Sequence, residues 1–422
     1  MSKRGIGVLR YENFLVLSMF LVVGLVFLDR LSLGFVFPMM SSELGMSNTQ
    51  LGLTIGITGI FFGLSTLIFA SLSDFLGKKK MMLVIFVFLF SITTLLSGVI
   101  GSFAALLMVR GLMGIAEGPV MPLVQSIIMA ESSEKRRGFN MGVVQSSSSL
   151  IGGALAPVIT VALAISFGWR SAFLIIALPG IILGFILWKY LKEPRVSQTN
   201  REEKVVSKPT KAEYLSVFKT RNVWLSTVIG ICNMVYILTL TAFLPTMFAT
   251  STNYQTSQIG LLLGLMGLIM FAGQLGCSAL SDRFGRVPSI KVFTFISIFL
   301  PIAIALYYQN FTLLLISILL LSIGNGYQPL ILNVIPAESV PRNFSATAIS
   351  FVILASEILG GSFGPVLAGV LADQYGPTAP LWVTAVAAAI GFVCTLGIKE
   401  TAPIKKNALK EAELTSQTTT PI

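Results

Sequence analysis

Apolar runs of span length recur twelve times along the 422-residue chain, separated by short polar breaks. They lie near 14–38, 50–72, 81–100, 103–129, 139–165, 171–191, 222–248, 258–280, 290–308, 312–335, 345–371 and 379–398. A helix needs ~20 apolar residues to cross ~30 Å of hydrocarbon, where unpaired backbone groups are costly, so each run predicts one membrane-spanning α-helix. The breaks alternate in charge. One set holds Lys78-Lys79-Lys80, Lys135-Arg136-Arg137, Arg283 with Arg286 and Lys291, and Arg342; the other has Arg170 and almost no further base. Basic loops stay in the cytoplasm, which places both termini and the basic segment Lys189–Arg221 inside.

The long polar interruption at 193–221, with Pro194 and Pro209, divides six runs from six. The expected organisation is a six-helix bundle over 1–192, a cytoplasmic linker over 193–221, a second bundle over 222–400 and a polar tail over 401–422. The halves answer each other at an offset of about 208 residues: Leu72-Ser73-Asp74 with Leu280-Ser281-Asp282, and Gly152-Gly153…Ala156-Pro157 with Gly360-Gly361…Gly364-Pro365. Pro122-Leu123 with Ala130-Glu131-Ser132 answers Pro329-Leu330 with Ala337-Glu338-Ser339, one residue short of that offset. The fold class is therefore an all-α membrane protein of twelve spans in two pseudo-symmetric bundles. Two homologous bundles suit alternating access, in which one half rocks against the other around a midplane site.

Composition removes the soluble alternatives. With 54% hydrophobic and 11% charged residues, the chain has too little polar surface for a water-soluble globule of this size. The net charge of +11 follows from the loop asymmetry, so it signals topology and not nucleic acid. The first run reaches full span length with no small-residue cleavage site after it, and reads as a retained helix. Cys232, Cys277 and Cys394 lie far apart inside apolar runs and read as small buried hydrophobes, with no metal set, disulfide framework or cofactor implied. The absence of histidine leaves any proton chemistry to carboxylates.

Three acids fall deep within predicted spans: Asp29, Glu117 and Glu357. Arg30 and Arg110 are the comparable bases. Each ionised group at a helix centre costs roughly 2.5–3.5 kcal/mol on insertion scales, and such residues mark substrate or proton paths. Asp29 and Arg30 are chain neighbours that point ~100° apart on a helix, so each is expected to face a different partner; mutual neutralisation is the plainer alternative. Glu117 lies roughly 14 residues into the fourth run, or ~20 Å deep at ~1.5 Å per residue, level with Asp29. Two carboxylates beside an arginine form a device that takes a proton and releases it when the arginine binds an anion.

At the loop Asp74-Phe75-Leu76-Gly77-Lys78-Lys79 the chain resembles the major facilitator superfamily, with Phe75 where that signature usually has a base. The copy Asp282-Arg283-Phe284-Gly285-Arg286 keeps the base. The resemblance implies a charge lock between halves built from Asp74, Gly77, Lys78, Asp282, Arg283, Gly285 and Arg286. Arg110, in Leu106-x-x-x-Arg110-Gly-x-x-Gly114, resembles the fourth-span motif and serves as either a helix tether or a part of proton handling.

Asp29-Arg30 with Glu117, in Arg110-Gly…Glu117-Gly…Pro122, resembles the anion:cation symporter branch, in particular its proton-coupled sugar-acid members such as galactonate transporters. That likeness implies Arg30 as the anion ligand, Asp29 and Glu117 as proton carriers, and Gln145 as a polar ligand on span five. The implied partners are a small organic anion, protons and the lipid bilayer, without nucleic acid, and the implied state is a monomer in a plasma membrane of bacterial inner-membrane type. Phe27 and Phe62 stand where sugar-acid members carry tyrosines, and Thr66 where they carry glutamine. Two rings kept and two hydroxyls lost predict a less hydroxylated carboxylate, aromatic or short aliphatic.

In the second half Asn233, Tyr236, Asn325, Tyr327 and Gln328 are expected to line the cavity or else to join helices by hydrogen bonds. Glu357 has Ser149 as its first-half counterpart and reads either as a second proton site or as a structural acid. A proton-driven exporter of drugs or metabolites is the competing function. It sits poorly with Arg30 beside the site and with the incomplete glycine-proline pattern after Gly153. A transporter-like sensor would add a soluble signalling domain, and the tail from Pro403 is too short and polar for one. No metal cluster, nucleophile-base pair or phosphate loop supports an enzyme.

Overall fold

The computed structural model describes residues 3–133, 136–194, 219–341 and 344–402. The expected linker 193–221 and tail 401–422 lie almost entirely outside the described residues. Among the described residues all regular structure is helical. The first half comprises α1 (Lys3–Leu44), α2 (Asn48–Leu76), α3 (Lys79–Ser97), α4 (Phe103–Glu117), α5 (Val120–Glu131), α6 (Arg137–Ser147), a π-helical stretch (Ser148–Leu155) and α7 (Ala156–Tyr190). The second comprises α8 (Arg221–Ser251), α9 (Thr256–Phe284), α10 (Arg286–Tyr307), α11 (Phe311–Leu321), a 3₁₀ stretch (Ser322–Tyr327) and a π stretch (Leu330–Val334). It continues through α12 (Ile335–Glu338), α13 (Ser345–Ala355), a π stretch (Ser356–Ser362), α14 (Phe363–Tyr375) and α15 (Ala379–Thr395).

Local chemistry fixes the helix ends. Ser47 and Gln50 form a reciprocal capping box at the start of α2, which satisfies two donors that the first turn leaves unpaired. Ser102 and Asn310 cap α4 and α11 through Ala105 N and Leu313 N. Gly77 and Gly285, the repeated loop glycines, have φ of 64° and 104°, and their N–H groups close onto Ser73 O and Ser281 O. Glycine occupies such positive-φ positions without the Cβ penalty.

Ten helical stretches among the described residues are long and apolar enough to cross a membrane, and the chain is a multi-pass membrane protein. Two of the twelve expected spans are missing from that count for identifiable reasons. Residues Phe139–Tyr190 run as one 52-residue stretch, ~78 Å at ~1.5 Å per residue and more than two bilayer crossings long. Gly168, at φ 82° and ψ 157°, breaks it. Within the last expected span, 379–398, the helix Ala379–Thr395 has 17 residues and is shorter than the others. Large apolar side chains such as Leu17, Ile68, Ile182, Phe185 and Phe363 remain exposed, as lipid-facing positions do.

The contacts divide the chain into two compact units. One takes Met1–Lys208, Leu238–Leu268 and Ser362–Pro380; the other takes Pro209–Ile237, Ile269–Gly361 and Leu381–Ile422. In the first, one apolar cluster joins Leu15, Met19 and Val26 of α1 to Leu83 and Phe90 of α3 and Val124 of α5. A second joins Leu33 and Phe37 of α1 to Leu51, Leu106, Phe173, Phe243 and Ala368. In the second unit, Ile229 packs with Cys277, Ile290, Tyr327 and Ile331.

Candidate functional site

The second half of α1 descends between these two apolar clusters of the first unit, and its polar residues emerge there. Asp29 is 1% exposed and accepts a hydrogen bond from Thr94 of α3. Arg30 turns elsewhere and lays its guanidinium over the Phe62 ring of α2, 4.8 Å from the centroid. The two chain neighbours thus face separate partners, as the helical geometry requires. Phe62 occupies one face of the guanidinium, while a carboxylate approaches a guanidinium in its plane.

Arg110 of α4 is buried to 1% exposure. Its Nη1 donates to Met113 Sδ at 3.2 Å, its guanidinium stands 5.5 Å from the Phe173 centroid, and its charged neighbours are Asp29 and Glu117. Nε and Nη2 have no hydrogen-bond partner in the structure. Buried donors of this kind require an explanation, because leaving them unmade costs more than the bond itself contributes. Arg30 and Arg110 line one cavity with Gly34, Thr58, Leu238, Thr241 and Ala242, all within the first unit. The space between them admits roughly one water.

Close backbone approach builds the cavity wall. A Cβ on Gly34 would lie 2.8 Å from Thr241 O and 3.0 Å from Ala242 Cα, so glycine lets α1 and α8 meet there. At Gly114 a Cβ would collide with Thr58 O and come within 3.0 Å of Phe62 N, which lets α4 seat against α2. Thr66 Oγ1 lies within hydrogen-bond reach of Phe62 O and Gly118 O, at 2.7 and 2.8 Å, between α2 and the residue that follows α4. Half-buried Phe27 packs under Gly152 of the π stretch, three residues beyond Asn140-Met-Gly-Val-Val-Gln145 and its serines. Gln145 is half-buried on α6.

A model of the Major Facilitator Superfamily matches residues 19–361 and 306–421. The chain belongs to this superfamily. It is a transporter and not an enzyme. A probable L-galactonate transporter of Escherichia coli is 27% identical over 396 residues, covering 88% of this chain and 85% of that protein. A probable sulfoacetate transporter of Cupriavidus necator is 24% identical over 277 residues, covering 63% and 64%. Among solved structures, a bacterial homologue of the human lysosomal transporter Spinster superposes with a TM-score of 0.74 at 21% identity, covering 94% of this chain and 98% of that one.

The superfamily's loop motifs differ in what the structure shows. Asp74 lies two residues before the end of α2, but its side chain lies outside the described residues; Lys78 is exposed beside Gly77. In the second copy Arg286 pairs with Asp282 and, at 2.9 Å, with Glu338, while Arg283 lies over the Phe284 ring. Glu400 accepts from the N–H groups of Arg286 and Val287 at 2.9 and 3.1 Å, which caps α10. Glu193 does the same for Lys80 at the start of α3, at 3.0 Å. These two glutamates keep the internal repeat to within one residue. They escaped the sequence reading because each stands in a polar segment just after an apolar run, where a charge is ordinary.

The second unit holds its own polar layer. Asn233 Nδ2 donates to Asn325 Oδ1 at 2.7 Å, and Gln274 Nε2 to Gln328 Oε1 at 2.8 Å. Tyr236 is fully buried, and its hydroxyl has no hydrogen-bond partner in the structure. Asn325 and Tyr327 sit in the 3₁₀ stretch that interrupts the tenth expected span. Glu357 is 7% exposed within the π stretch Ser356–Ser362.

Sequence reasoning missed three hydroxyl residues beside the charges: Thr58, Thr94 and Thr241. A signal for Thr94 exists in hindsight. Ser91, Thr94 and Ser97 form a buried polar stripe at three-residue spacing along an otherwise apolar helix.

Proposed function

We propose that the chain is a proton-coupled symporter of the anion:cation branch, taking up a small organic anion by alternating access. The observation that carries the reading is the buried meeting of Asp29, Glu117 and Arg110 next to an Arg30 held on an aromatic face. Ionised groups buried in such surroundings are costly, and an anion-for-charge exchange gives them a use. In this account Arg30 binds the substrate carboxylate. Asp29 and Glu117 carry the coupling proton, and Arg110 balances them when they are ionised. Gln145, Phe27 and Phe62 shape the site, and Asn325, Gln328 and Tyr236 supply further polar contacts. Glu357 is a second proton-bearing acid, and the loops around Asp74, Gly77, Lys78, Asp282, Arg283, Gly285 and Arg286 govern gating.

Reading the Gly168 break as a loop and Ala379–Thr395 as a short span gives twelve crossings. The two bundles would then cover 1–192 and 222–400, with both termini in the cytoplasm of a bacterial inner membrane and a monomer as the working unit. The substrate class follows from Phe62 and Phe27, whose rings lack the hydroxyls a polyol acid would engage. L-galactonate and sulfoacetate, named for two relatives, are both acids, and sulfoacetate has no hydroxyl.

Two variants separate binding from coupling. Arg30→Ala removes a charge-assisted pair, and carboxylate affinity falls at least about 100-fold. Glu117→Gln keeps exchange of labelled substrate across the membrane but loses accumulation driven by a pH gradient. Proteoliposome counterflow and uptake assays read both. Accumulation by Glu117→Gln up a pH gradient contradicts the proton assignment.

A further inference from the structure

Thr94 Oγ1 lies within hydrogen-bond reach of two acceptors: Asp29 Oδ2 on α1 and, at 2.8 Å, the Phe90 carbonyl of its own helix. A threonine hydroxyl carries one hydrogen and also accepts, so it can donate to one of these oxygens at a time. Thr94 and Asp29 are each 1% exposed, which leaves bulk water little access to complete either arrangement.

We propose that Thr94 is a switchable positioning residue that reports the protonation state of Asp29. With Asp29 ionised, the Thr94 O–H donates to Oδ2. When a proton binds to Oδ2, the new carboxyl O–H donates to Thr94 Oγ1, and the Thr94 hydrogen rotates to Phe90 O. The carboxyl proton stays on Asp29 and no proton passes to threonine; only one O–H bond turns. Both states of the buried acid therefore keep a hydrogen bond without movement of α1 against α3. The inference rests on the proposed role of Asp29 as a proton carrier.

The charged group of α4 that faces Asp29 is Arg110, whose other acidic neighbour is Glu117; Arg30 is the chain neighbour of Asp29. The charged residues of the other packed elements stand near helix ends or the Gly168 break: Lys79 and Lys80 on α3, Glu131 on α5, Arg137 on α6, and Arg170 and Lys189 on α7. Buried hydroxyls often do no more than bond a carbonyl one turn back, as Ser91 does with Val87 O at 2.7 Å. That role alone leaves the titration of Asp29 unchanged.

The test needs no substrate. Infrared spectra of the full chain in liposomes, taken from about pH 4 to about pH 10, follow the protonated-carboxyl band that Asp29→Asn removes. Charge-assisted hydrogen bonds are roughly twice as strong as neutral ones, so Thr94→Val weakens the ionised state more and moves the half-protonation pH up by about 0.5–1 unit. Thr94→Ser restores the wild-type midpoint, and Thr94→Ala repeats the shift should the valine variant not fold. An unmoved or acid-shifted midpoint overturns the proposal, as does failure of serine to restore it or absence of any titrating band assigned to Asp29. If no carboxylate is transported yet the band shifts as expected, the symport reading fails and the Thr94 switch stands.

Discussion

Phe62 does two things at once: it carries the Arg30 guanidinium on its ring and presents no hydroxyl to a ligand. Phe62→Tyr is therefore expected to improve competition by sugar acids relative to aliphatic or aromatic acids, by about 10-fold for one new hydrogen bond of ~1.4 kcal/mol. Competition against uptake of a labelled acid measures it, and an unchanged ranking contradicts the assigned role. Removing Arg110 leaves Asp29 and Glu117 without their shared cation. Arg110→Met is expected to lower stability by about 3–5 kcal/mol, the usual range for breaking a buried charge set, with partial recovery in the double variant with Asp29→Asn. Thermal unfolding in detergent reads both. The charged members of this cluster were legible in the sequence, because an acid or base inside an apolar run is conspicuous. Thr58, Thr94 and Thr241 were not, because a hydroxyl in a membrane helix can satisfy itself on its own backbone.

Between elements, glycine and one carboxylate carry much of the specificity. Asp373, two residues before the end of α14, accepts from Asn48 N and Thr49 N at 3.0 and 2.8 Å, and from both of their side chains. It therefore supplies the first turn of α2 with the acceptors that a helix start lacks. Asp373→Ala is expected to cost about 1 kcal/mol, the usual loss of a cap, read as a lower unfolding temperature. Gly34→Val should cost about 1–3 kcal/mol through overpacking against Thr241 and Ala242. Glu400 lies beyond the last helix. Burial alone would raise its carboxyl, but N–H donors from Ala402, Arg286, Val287 and Thr401 hold it below the usual glutamate range. A depressed folded value means that its stabilising cap on α10 is present above the unfolded glutamate range and is lost as pH falls through the folded value. Glu400→Gln should remove that part of the acid-side dependence. The helices were legible from hydrophobic run length. The π stretches at Ser148–Leu155 and Ser356–Ser362, in repeat-equivalent places, were not, since shifting a hydrogen-bond partner by one residue leaves no mark on the apolar pattern.

At the scale of the molecule, the internal repeat and the loop charges anticipated the superfamily, whose model matches both halves. Ten helical stretches of span length among the described residues stand against twelve expected runs. Gly168 breaks a helical run long enough for two crossings, and Ala379–Thr395 is short. The expected runs 139–165 and 171–191 flank Gly168, and 379–398 contains the short helix. Transport of a small acid is the central claim, and proton movement in proteoliposomes tests it most directly. Vesicles holding the protein would be challenged in weakly buffered medium with a sugar acid, an aromatic acid, a short aliphatic acid and a cationic dye. The account predicts external alkalinisation with an acid, strongest for the aromatic or aliphatic one and absent in Arg30→Ala. Silence with every acid, together with proton movement evoked by the dye, would contradict symport and bring the exporter forward.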